Sequence, residues 1–142
     1  RLNELHYVRP LPEDDGSAVP DAFKKINLSL TSFFDLSLNI EGNMLTLTGK
    51  DGEIWYRAER GCWSKIRRKV HCSPFYTEKD SMDTPVIGAW GVKNGVLTIR
   101  VYEIEFLEED TLTLTEEEDG IHVSFTNTTI PSNPREYVKK VI

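Results

Sequence analysis

The residues with the widest chemical range in this 142-residue chain are three histidines and two cysteines. Their spacing suits none of the reactions such side chains usually serve. A structural zinc site needs four ligands. Cys62, His71 and Cys72 offer three, and His6 and His122 stand far from them in the chain. Nucleophilic catalysis needs a Ser or Cys beside a positioned base. No Ser here is followed three residues later by Lys, the spacing at which one helical turn brings an amine to a hydroxyl, and Gly-x-Ser-x-Gly and Gly-rich phosphate loops are absent. Paired carboxylates occur at Glu108-Glu109-Asp110 and Glu116-Glu117-Glu118-Asp119, where turn solvation accounts for them as readily as glycosidase chemistry. The expected assignment is therefore catalytic residues none, cofactor none, metal none.

Two features remain that could serve binding. Trp55, Trp63 and Trp90 can stack sugars, line an apolar cavity, or fill the core. The charges are segregated. Arg57, Arg60, Lys65, Arg67, Arg68 and Lys69 crowd one stretch, whereas residues 101–134 hold no Lys or Arg and many acids. The net charge of −6 argues against nucleic acid as a partner. Two readings of the segregation stay open: solvated strand faces, or a dipolar domain that docks against a charged surface.

Alternation with a period of two dominates the elements that must carry these residues. Leu36, Leu38 and Ile40 alternate with polar neighbours, Gly42-Asn43 supplies a turn, and Leu45 and Leu47 resume the pattern. Lys50-Asp51-Gly52 is a second turn signal before Ile54 to Arg57. Asn94-Gly95 separates Val86 to Val92 from Leu97, Ile99 and Val101, and Asp119-Gly120 separates Leu112 and Leu114 from Ile121, Val123 and Phe125. The predicted core comprises Leu38, Leu45, Leu47, Leu97, Ile99, Leu112, Leu114, Val123 and Phe125, with the residues between them facing outward. Short strands with turns at this spacing read as an antiparallel meander closing into a β-barrel or a sandwich. Two helical pieces are expected: a short one within Pro20 to Leu30, where Phe23, Ile26 and Leu30 share a face, and a last turn near Arg135 to Val141.

Residues 1–142 read as one domain, with 1–34 a leading segment whose Val8 to Pro20 stretch is a loop. The start at Arg1, with no Met and no signal-peptide pattern, points to a chain that is either processed or cut from a longer protein. No apolar run approaches the ~20 residues of a membrane span, so no membrane insertion is expected. Cys62 and Cys72 are too few for a disulfide framework; free thiols are expected, although the two would pair if their strands folded together. In the basic run, a strand places Lys65, Arg67 and Lys69 on one face and Ile66, Arg68 and Val70 on the other. Burying one Arg costs less than burying three charges, so the trio is expected outward, facing either a partner domain or water, and Arg68 at a rim with an acid or carbonyls.

The order of these pieces resembles the C-terminal lipocalin-like β-domain of bacterial serine hydrolases of the β-lactamase and penicillin-binding-protein superfamily. The resemblance runs over residues 36–127: the hairpin from Leu36 to Leu47, Lys50-Asp51-Gly52, Gly61-Cys62-Trp63 and Gly88-Ala89-Trp90. It continues through Asn94-Gly95-Val96-Leu97-Thr98-Ile99-Arg100, Thr111-Leu112-Thr113-Leu114 and Gly120 to Phe125. Gly61-Cys62-Trp63 also resembles the Gly-x-Trp of lipocalins, displaced to mid-chain. The resemblance implies a calycin-type barrel that packs on a catalytic domain of the same parent chain and shapes its substrate entrance. The Ser and Lys of that family belong to the other domain, so no catalytic residue transfers here. The alternative is a stand-alone calycin-type module holding a small apolar ligand, with Phe23, Phe33, Phe34 and Trp90 as cavity residues.

Overall fold

In the computed structural model the described residues are 10–31, 34–49, 52, 54–70, 82–103, 108–127 and 130–139; within them, backbone alone is described at 29–31, 34–35, 66–70, 82–84, 103, 108, 127 and 130–139. A three-residue 3-10 turn, Asp21–Phe23, precedes ten strands: β1 Lys25–Thr31, β2 Phe34–Glu41, β3 Met44–Thr48, β4 Ile54–Glu59, β5 Ser64–Val70, β6 Met82–Lys93, β7 Val96–Glu103, β8 Glu108–Glu117, β9 Gly120–Asn127 and β10 Ile130–Lys139. They form two antiparallel sheets, β1-β2-β3-β4 and β10-β9-β8-β7-β6-β5, in which every neighbour in space is a neighbour in sequence. The protein is all-β and meandering, as the alternation predicted.

The turns follow from residue type. Gly42 takes φ 58° between β2 and β3, and Asn94 and Gly95 take φ 52° and 78° between β6 and β7. Two successive left-handed residues give the tight turn whose twist suits a hairpin. The register then follows, with Lys93 opposite Val96 and Trp90 opposite Ile99. Leu97, Ile99, Leu112 and Leu114 are fully buried, Leu38 and Val123 nearly so, and Phe125 packs partly buried against them. The inner faces of β1–β4 and of β6–β9 contribute to one shared core.

Over residues 86–92 strand β6 is buried on both faces. Val86, Trp90 and Val92 face the shared core, while Ile87 and Ala89 join Trp63 and Tyr102 in a second cluster on the outer face. The corner between β4 and β5 stitches the sheets together. Arg60 forms an isolated parallel bridge with Trp90, its N–H donates to the Asn43 carbonyl at 2.8 Å, and the Gly61 N–H donates to the Trp90 carbonyl at 3.0 Å. The Trp90 indole N–H donates to the Ala58 carbonyl at 2.9 Å, which satisfies the polar end of a fully buried ring.

Two expectations change. The helix expected within Pro20 to Leu30 is the short 3-10 turn followed by β1, because Ile26 and Leu28 are buried while Lys25 and Asn27 are exposed, a period of two set by pairing with β2. The last helical turn near Arg135 is strand β10, paired along β9 from Ile121 to Phe125. Among the described residues the ladders run from β1 to β4 in one sheet and from β10 to β5 in the other, two antiparallel sheets around a common core.

Candidate interaction surface

The densest polar construction among the described residues lies where residues 10–17 cross the outer face of β6 and β7. Gly91 sits beneath the crossing, and a Cβ there would stand 2.7 Å from the Glu13 carbonyl and 2.9 Å from the Asp14 Cβ. Glycine is what allows two backbones to approach this closely. The Asp15 N–H donates to the Val92 carbonyl at 2.9 Å, in line with the strand beneath. Leu11 packs against the outer apolar cluster, and Arg100 donates to the Pro10 carbonyl at 3.1 Å.

Asp14 and Arg60 form a two-pronged ion pair, Nε to Oδ2 at 2.8 Å and a second guanidinium nitrogen to Oδ1 at 2.9 Å. Their side chains are only 20% and 15% exposed, so water screens the pair less than it would a surface pair. The Arg60 guanidinium also lies 5.7 Å from the Trp90 ring centroid, within cation–π range. The Arg60 hydrogen bond holds the Asp14 carboxyl below the usual carboxylate range against the opposing effect of burial, and Asp14 in turn raises Arg60.

Asp15 is lowered to about 2 by the nearby Ser17 hydroxyl and by the backbone N–H groups of Asn94 and Ser17. The hydroxyl meets no hydrogen-bond geometry, so the firmer cause is the pair of N–H donors, at 3.0 Å from Asn94 and 2.9 Å from Ser17. Beside the crossing, Glu13, Lys93, Asn94, Val96 and Thr98 line an open groove of about 290 Å³, with Lys93 and Glu13 3.5 Å apart.

The residues singled out in the sequence fall in separate places. Trp90 is core, Trp63 is buried in the outer cluster, and Trp55 is the extra residue of a bulge between β3 and β4, half-buried against the core. Lys65 is exposed on β5 opposite Ile87; Arg67, Arg68 and Lys69 pair with Pro85, Thr84 and Asp83, and their side chains lie outside the described residues. His6, His71, Cys72 and Phe33 lie outside them entirely, as does the Phe34 side chain. Phe23 is fully buried in the core.

Cys62 carries an exposed free thiol, 3.7 Å from a Glu59 carboxylate oxygen. His122 meets Asp119 at 2.6 Å at the β8–β9 turn, where Glu116, Glu117 and Glu118 are exposed. Among the described residues no group of three His, Cys, Asp or Glu comes together in a metal-holding cluster.

Sequence reasoning missed the Asp14–Arg60 pair, Asp15 and Asp110. Asp-Asp-Gly-Ser at 14–17 is a signal for turns in which a side chain accepts from the backbone two residues on, and both such bonds form. Asp110 was assigned with the acidic turns, yet it is buried on β8 opposite Val101 and Asn127. Neither a family model nor a curated protein matches the chain, and no helix of the described residues is long and apolar enough to cross a membrane.

Proposed function

We propose that the chain is a non-catalytic accessory β-domain of lipocalin-like type, which docks on the catalytic domain of a β-lactamase-related serine hydrolase and borders its substrate entrance. The observation that carries this reading is how the space between the sheets is used. Trp90, Tyr56 and Phe23, with Leu38, Leu45, Leu47, Leu97 and Ile99, are fully buried there and fill it with the protein's own side chains. Recognition then falls to the surface. The meander order of hairpins is the order on which the family resemblance rests, and a barrel-like wrapping of the two sheets belongs to the same proposal.

The surface is suited to docking by charge. Lys65 is exposed on β5, the strand that also carries Arg67 and Lys69, and exposed acids collect at the β8–β9 turn. Opposed charge at two places orients a domain on a partner and sets its encounter rate more than its affinity.

Two measurements test the proposal. The isolated chain should hydrolyse neither nitrocefin nor p-nitrophenyl esters above buffer, and a fluorophosphonate probe should leave it unlabelled; stoichiometric labelling of any Ser defeats the accessory reading. In the parent polypeptide, reversing Lys65, Arg67 and Lys69 to Glu should weaken association of the two domains in a salt-dependent way. Tight one-to-one binding of an apolar fluorescent probe to the isolated chain would favour the ligand-binding alternative.

A further inference from the structure

The crossing of residues 11–17 over β6 is built differently from the rest of the molecule. The sheets are held by continuous ladders and a shared apolar core, whereas this segment gives Leu11 to an apolar cluster, buries Pro12, and makes, among the described residues, one backbone bond to the sheet, from Asp15 to Val92. Its other fastenings are charged or polar side chains: Asp14 with Arg60, Asp15 with the Asn94 N–H, Glu13 with Lys93, and Arg100, itself 3.9 Å from Glu109, with the Pro10 carbonyl. We propose that residues 11–17 form a detachable strap, closed over the outer face of β6 by the Asp14–Arg60 staple and able to lift from it while both sheets stay folded.

The two carboxylates are used completely, which makes the closure specific. Asp14 Oδ2 accepts from Arg60 Nε, and Oδ1 accepts from a second Arg60 nitrogen and from the Gly16 N–H at 2.8 Å. Asp15 Oδ1 accepts from Ser17 and Oδ2 from Asn94. A side-chain amide of the same shape replaces one acceptor by a donor, so Asp14→Asn sets an NH2 against either a guanidinium N–H or the Gly16 N–H. The closure therefore depends on charge and acceptor count, which a few local changes remove.

Beneath the strap lies an apolar strip. Ile87 and Ala89 on β6, Trp63 from the β4–β5 corner and Tyr102 on β7 are buried together, and Leu11 is the strap's own contribution to them. Lifting the strap withdraws Leu11 from this cluster. A segment with few apolar contacts and mostly side-chain fastenings belongs to the least stable, locally opening part of a fold. This inference stands whether or not the chain is an accessory domain.

Amide hydrogen exchange on the intact chain tests it. The Asp15 amide should exchange through an opening insensitive to low denaturant, while the Leu97 and Ile99 amides exchange only by global unfolding. Asp14→Asn should speed Asp15 exchange at least tenfold and leave Leu97 and Ile99 unchanged. Gly91→Ala should do the same by another route, because its Cβ would stand 2.7 Å from the Glu13 carbonyl and 2.9 Å from the Asp14 Cβ, pushing the segment away sterically while every charged side chain is kept. Exchange of Asp15 only with the core amides, or at an unchanged rate in both variants, would overturn the strap.

Discussion

Replacing Gly88 by Ala should be among the most damaging single-methyl additions this fold can receive. A Cβ at Gly88 would lie 1.6 Å from Cε2 of Tyr56, 2.3 Å from Cζ and 2.5 Å from the phenolic oxygen. The ring must retreat by about 1.8 Å to reach ordinary contact near 3.4 Å. Tyr56 is fully buried, and a close-packed interior has no room for a shift of that size. Overpacking typically costs about 1–3 kcal/mol. Complete ejection of an aromatic ring that buries ~150–250 Å² forfeits roughly 4–6 kcal/mol at about 25 cal/mol per Å².

The expected loss for Gly88→Ala is therefore about 4 kcal/mol, measured by urea denaturation followed by circular dichroism. Tyr56→Ala alone should cost about 3–5 kcal/mol. With the ring gone, the added methyl meets open space, so the double variant should be scarcely less stable than Tyr56→Ala, with a coupling of at least ~2 kcal/mol. A loss under about 1 kcal/mol for Gly88→Ala, or simple additivity in the double variant, would refute the claim that ring and glycine are fitted to each other.

Tyr56→Phe should be neutral or slightly stabilising by the same denaturation assay, since the buried hydroxyl finds no hydrogen-bond partner among the described residues. Burial, with a smaller contribution from Cys62, raises this phenol well above its ordinary value, so ultraviolet titration should show Tyr56 ionising only as the protein unfolds in base. Ile99→Ala, at a fully buried position, should lower stability by about 2–5 kcal/mol, and a loss below about 1 kcal/mol would contradict its inward placement. Asp14 and Asp15 are both lowered from 3.8, Asp15 to about 2. Their contribution is thus fully present above pH ~4 and is lost as pH falls toward 2. Carboxyl carbon shifts in an acid titration should place Asp15 near 2, and a midpoint at 3.8 would show that its N–H donors are not engaged in solution.

The sequence by itself determined the local part of this protein. Alternation at Leu97, Ile99 and Val101 and at Leu112 and Leu114 chose the buried face, and Asn94-Gly95 and Gly42-Asn43 chose where the chain reverses. Both are decided within a few residues, by a pleat that sends successive side chains to opposite sides and by residues that tolerate positive φ. Tertiary structure decided what depends on distant partners. Phe23, Ile26 and Leu30 fit a helical face in the sequence, and only pairing with β2 imposes the period of two that buries Ile26 and Leu28. Tyr56 and Gly88 are 32 positions apart, as are Ala58 and Trp90, whose hydrogen bond crosses the seam between the sheets. Asp14 finds Arg60 across 46 positions. No periodicity encodes such meetings, because they arise only when two sheets, each correct in its own register, are brought face to face and the corner at Arg60 closes between them.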